Sequence, residues 1–111
     1  MDDSILDSIK KILGMPPEYD AFDTDLVIHI NSVFGILAQL GVGPKGGFSI
    51  SDNTTLWESY LGDSKDLEMV KSYIALKVRL IFDPPTIGAV MDAMKEQIRE
   101  LEWRLNVQVD H

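Results

Sequence analysis

The glycine-rich stretch Gly43-Pro44-Lys45-Gly46-Gly47 is the first place to look for a phosphate site. A Walker-type loop cradles phosphate on backbone amides and is completed by Gly-Lys-Ser/Thr. That triplet is missing, and Pro44 removes an amide that a nest would use. The stretch is therefore expected to be a surface loop. Ser49 follows Gly47-Phe48 as in a nucleophile elbow, but Ser51 stands where Gly-x-Ser-x-Gly needs its second glycine. The two histidines, His29 and His111, have no paired metal spacing. His29 is expected at a core edge or an interface. Asp20, Asp23 and Asp25 begin like a calcium loop, yet the EF-hand pattern then needs glycine at position 25 and glutamate at position 31. Those positions hold Asp25 and Asn31, and helix capping accounts for Asp23 and Asp25. No pair of carboxylates is singled out for acid–base work. The chain is expected to have no catalytic residues, no cofactor and no metal.

The elements that would position any site belong to one small domain, 1–111. Its 45% hydrophobic content is enough for a modest core. Cysteine is absent, which excludes disulfides and thiolate ligands. Eighteen acids against ten bases give a formal charge of −8. Nucleic-acid and anionic-membrane binding both rest on Lys/Arg clusters, so both are disfavoured. The opening Met1-Asp2-Asp3-Ser4 is not a basic-then-apolar export signal, and a cytosolic chain is expected.

Apolar spacing is helical nearly throughout. A first helix is expected over 3–13, capped by Asp2 or Asp3 and stopped by Gly14. A second spans 24–40, capped by Asp23 or Thr24 and ended by Gly41. Residues 41–53 form an irregular loop, in which Phe48-Ser49-Ile50 has the alternation of a short strand pair. A short helix follows over 54–61. The fourth, 64–82, would be capped by Asp63 or Ser64. Thr86 would cap the fifth, 87–106, whose stripe is Ile87, Val90, Met91, Met94, Ile98, Leu101 and Leu105. The fold class is all-α: four main helices and one short one.

Three groups of residues remain after the core is assigned. Trp103 lies opposite the fifth helix's apolar stripe, with Arg99 one turn before it and Arg104 beside it. Trp and Arg are enriched at binding hot spots, so this group either covers neighbouring loops or meets a partner. The fourth helix has a second stripe, Met69, Tyr73, Leu76 and Leu80, and Ile28 and Ile36 lie off the main stripe of the second helix. A helix apolar on two sides is either central to the domain or half covered by another subunit. The third group is the loop Gly43, Pro44, Lys45, Gly46, Gly47 and Phe48.

Phrases in order along nearly the whole chain resemble the head–tail connector family of tailed phages and prophages, small adaptor or head-completion proteins sometimes labelled as DNA-packaging proteins. They are Ile12-Leu13-Gly14, Phe22-Asp23-Thr24-Asp25, His29-Ile30-Asn31, Leu40-Gly41-Val42-Gly43-Pro44 and Gly47-Phe48-Ser49-Ile50. The series closes with Val70-Lys71-Ser72-Tyr73-Ile74-Ala75-Leu76-Lys77-Val78-Arg79-Leu80-Ile81-Phe82-Asp83-Pro84-Pro85 and Glu100-Leu101-Glu102-Trp103-Arg104-Leu105-Asn106.

The resemblance implies a non-enzymatic virion protein, assembled in the bacterial cytoplasm and located at the head–tail joint. Its partners would be the portal protein, a tail or stopper protein, and copies of itself in a ring. Double-stranded DNA would pass through the channel without specific binding, and no membrane is involved. Carried onto this sequence, the portal contact falls on Arg99, Trp103, Arg104 and Asn106. The subunit contact falls on Ile28, Ile36, Met69, Tyr73, Leu76 and Leu80, and the 43–48 loop faces the channel or the tail. Deleting residues from Trp103 onward is expected to leave the fold mostly intact and to abolish portal association. The charge alone also suits an alternative, a small acidic regulator or DNA mimic that binds a basic protein.

Overall fold

The computed structural model describes residues 4–62 and 66–108. Five helices follow one another: α1 (Ile5–Ile12), α2 (Asp23–Gln39), α3 (Trp57–Leu61), α4 (Leu67–Phe82) and α5 (Gly88–Gln108). The all-α expectation is met. None of these helices is long and apolar enough to cross a membrane.

The helix stops follow the sequence closely, whereas the starts do not. Gly14 and Gly41, both at φ +88°, end α1 and α2 in the same way. Met15 N–H donates to the Lys10 carbonyl at 2.8 Å and Val42 N–H to the Leu37 carbonyl at 2.9 Å, closing a Schellman turn at each end. At the start of α1 the cap is Ser4, whose hydroxyl accepts from the Asp7 amide at 3.2 Å. Asp2 and Asp3, the expected caps, lie outside the described residues, as do Asp63 and Ser64 for α4. The cap of α2 is Phe22, with no side-chain bond. Asp23 is drawn away from capping because the Lys10 ammonium, only 1% exposed, sits 2.8 Å from its carboxylate. Lys10 also donates to the Pro17 carbonyl at 2.8 Å, so one buried cation ties α1 to the 14–22 loop and to α2. A buried charge is tolerable only when it is paired in this way. For α5, the Ile87 carbonyl accepts from Met91 N–H at 3.0 Å. The helix thus starts one residue later than a Thr86 cap would place it.

α4 occupies the middle, packed against α1, α2 and α5. Val70, Ile74 and Val78 from one stripe and Tyr73 from the other are all fully buried. The Tyr73 hydroxyl donates to Glu102 on α5 at 2.6 Å, and burial with that carboxylate raises the phenol above its ordinary pKa. Tyr73 of the second stripe thus takes part in the α4–α5 contact.

The 41–56 segment returns alongside α2 without becoming a strand pair. The alternation at Phe48-Ser49-Ile50 is produced by the Asn31 side chain, which takes the place of a neighbouring strand. Its Nδ2 donates to the Ile50 carbonyl at 2.9 Å, and its Oδ1 accepts from the Ile50 amide at 2.8 Å. Ile50 is buried beneath this pair. Among the described residues the bridging is one antiparallel pair, Ser4 with Leu56.

Asn31→Ala leaves both polar groups of buried Ile50 without these partners, so it is expected to destabilise the fold by about 2 kcal/mol. The urea midpoint should fall with little change in slope.

Candidate functional site

Trp103 is 67% exposed on the outward side of α5. Together with Glu96, Arg99 and Glu100 it lines an open groove of about 370 Å³. The ordering of these side chains comes from helical spacing. Arg99 pairs with Glu96 one turn back, and Arg104 pairs with Glu100 at 2.8 Å. Exposed pairs of this type add little stability. Their effect here is electrical, because two cations and two anions beside the indole cancel. The ring is left as an apolar anchor on a locally neutral face. The fourth expected contact residue, Asn106, turns the other way. Its Nδ2 lies 3.5 Å from the Leu40 carbonyl, at the outer limit of a hydrogen bond, next to the C-terminus of α2.

Leu105, two residues beyond Trp103, is fully buried. The last turns of α5 are therefore part of the core as well as of the outward face. This corrects the expectation that residues from Trp103 onward are dispensable to the fold.

The six residues expected at a subunit contact divide. Ile28 is 57% exposed on α2, while Ile36, Met69, Leu76 and Leu80 are partly buried against the core. Tyr73 has no accessible surface to offer another chain. Its phenol is accounted for by the hydrogen bond to Glu102 on α5.

The loop residues divide as well. Phe48 turns inward against Phe34 and Tyr60, with ring centroids 5.1 and 4.9 Å away. Gly43, at φ +95°, lies so close to Tyr60 that a Cβ there would stand 2.7 Å from the ring. Burial pushes the Tyr60 hydroxyl up to about 12. Between these two fixed points Gly47 N–H donates to the Pro44 carbonyl at 3.0 Å, closing a turn with Lys45 and Gly46 at its exposed tip.

Two features escaped the sequence. One is the edge-to-face row Tyr19–Phe22–Phe82, with centroids 5.9 and 5.2 Å apart, partly exposed where α2 begins and α4 ends. Aromatic residues beside Pro16-Pro17 were its signal. The other is that Ile87 and Val90 at the start of α5 remain exposed, although they continue the stripe that Met94, Ile98 and Leu105 bury. Periodicity identifies a stripe but does not say how far a neighbour covers it.

Among the described residues no group of three or more His, Cys, Asp or Glu side chains is placed to hold a metal ion. Asp23, the middle of the candidate calcium trio, is committed to Lys10. A family model described as "Phage connector protein" matches residues 5–111. No curated protein and no solved structure matches the chain.

Trp103→Ala is expected to change folding stability by no more than about 0.5 kcal/mol, as an exposed position should. Leu105→Ala, two residues away, should cost about 3 kcal/mol. Chemical denaturation of the two variants separates the exposed face from the core face.

Proposed function

The chain belongs to the phage connector protein family, and on that basis we propose that it forms a ring beneath the portal. The ring extends the DNA channel and joins the head to the tail or stopper. The family supplies a structural role in the virion and contact with other head or tail components. The finer assignment rests chiefly on Trp103, an indole 67% exposed on the outward side of a long helix. Hot-spot anchors are of this kind, and helices dock such residues into grooves. In this reading Arg99, Trp103 and Arg104 meet the portal, and Asn106 holds their helix against α2. The protein acts as one helical connector domain without catalysis, put together in the host cytoplasm.

Neighbouring copies in a closed ring meet through two different faces of each subunit. Ile28 on α2 and the uncovered Ile87 and Val90 on α5 supply apolar area for such faces. DNA would pass without being held, because the chain carries eighteen acids against ten bases and five of those bases are already engaged. Lys10, Lys71, Lys77, Arg99 and Arg104 are each paired with a carboxylate. Phosphate contacts need Lys/Arg groups that can release counterions.

Binding of purified portal protein to Trp103→Ala should fall more than about tenfold, a loss of about 1.4 kcal/mol or more. Because the face is neutral, wild-type binding should change little between low and high salt. Unchanged affinity in the variant removes the site. Steep salt dependence favours the acidic-regulator alternative.

A further inference from the structure

A cleft of about 400 Å³ lies where α1, the 14–22 loop and the first turns of α2 meet residues 51–53. Its apolar part is Leu6, Pro17, Val27 and Ile28, and its acids are Glu18, Asp20, Asp23 and Asp52. Asp23 is already neutralised by Lys10. Asp52 accepts the Thr54 hydroxyl at 2.6 Å and the Thr54 amide at 2.9 Å, which hold its carboxyl below the usual carboxylate range. Glu18, Asp20 and Asp52 form no ion pair among the described residues. In the sequence no Lys or Arg occurs between Lys11 and Lys45. An apolar floor with an anionic rim suits a lysine, whose stem is hydrocarbon and whose head is cationic.

A lysine of this description stands at the other end of the same helix. Lys45 tips the turn beyond the C-terminus of α2 and forms no ion pair among the described residues. The turn is held at both sides, by Gly43 against Tyr60 and by Phe48 against Phe34 and Tyr60. A tip held in place loses little conformational freedom on docking. The cleft volume is in the range that encloses a drug-sized ligand, roomy enough for Pro44-Lys45-Gly46. About 17 Å of helix separates knob from cleft, at 1.5 Å for each of the 11 residues of α2 beyond Ile28. A knob at one end and its receptor at the other define a head-to-tail contact.

The geometry points to a second copy of this chain as the occupant of the cleft: the Lys45 turn of one subunit seats between Glu18, Asp20 and Asp52 of the next. The contact covers exposed Ile28 and neutralises a loop lysine that would otherwise attract phosphate. This inference rests on the ring reading and specifies which surfaces close it.

Light scattering over a wide concentration range at low salt tests it. Wild-type protein should associate, and added salt should reverse the association. Lys45→Glu alone, and the Glu18→Lys/Asp20→Lys pair alone, should each lower the association constant at least about tenfold. In an equimolar mixture of these two variants every contact between unlike chains is complementary, because the acidic knob of one meets the basic cleft of the other and Lys45 of the second meets the acidic cleft of the first. The mixture should therefore assemble beyond dimers although neither variant does so alone. All three substitutions in one chain should restore assembly. Wild-type-like assembly of the single-site variants, or a mixture that stays monomeric, overturns the contact. A wild-type chain monomeric at every concentration overturns it too. Portal binding measured on the same variants keeps the outcomes apart: loss of this contact with portal binding intact leaves the connector reading standing.

Discussion

The fold depends on covering α4 on more than one side. Val70, Ile74 and Val78 need one partner surface, and Tyr73 on the opposite stripe needs another. α2 and α5 meet those needs, and α1 closes what they leave. A helix so enclosed cannot keep an unsatisfied polar group, which is why the Tyr73 hydroxyl is matched by Glu102 across the α5 contact. Glu102 is also 3.9 Å from Lys77, and Lys77 lies over the Tyr73 ring at 5.9 Å. The α4–α5 seam is thus apolar at its centre and ionic at its edge.

That enclosure separates the protein's two kinds of surface. Apolar area absorbed by α4 is not available for assembly. Exposed apolar side chains lie at the periphery, among them Trp103 on the outward side of α5, Ile87 and Val90 at its start, and Ile28 on α2. The net charge of −8 is distributed in the same uneven way. Around Trp103 the charges are paired and cancel, while around the α2 cleft they accumulate. The first kind of face responds to shape and apolar fit, the second to charge and salt.

Helix number, order and stops were legible in the sequence because they follow from periodicity and from glycine at Gly14 and Gly41. Trp103 was legible for the same reason, since helical spacing alone sets it opposite Ile98 and Leu105. Helix starts were less so. Asp23 could serve equally as a cap or as an ion-pair partner, and the choice depended on Lys10, thirteen residues earlier. The strand-like alternation at Phe48 and Ile50 was real, but its cause was the Asn31 amide, which no local pattern announces. Tyr73 could not be placed before α5 was known to cover it.

Leu105 gives α5 a mechanical property. Trp103 points outward, Leu105 is sunk in the core, and Asn106 reaches toward the end of α2, all within one turn. A load applied at the indole therefore passes into the packed interior within a few ångströms, with no intervening linker to stretch. Force along α5 meets side chains interlocked with α4 and must shear them together. A joint built this way transmits tension as a rigid coupling, and its failure under load requires the domain itself to open.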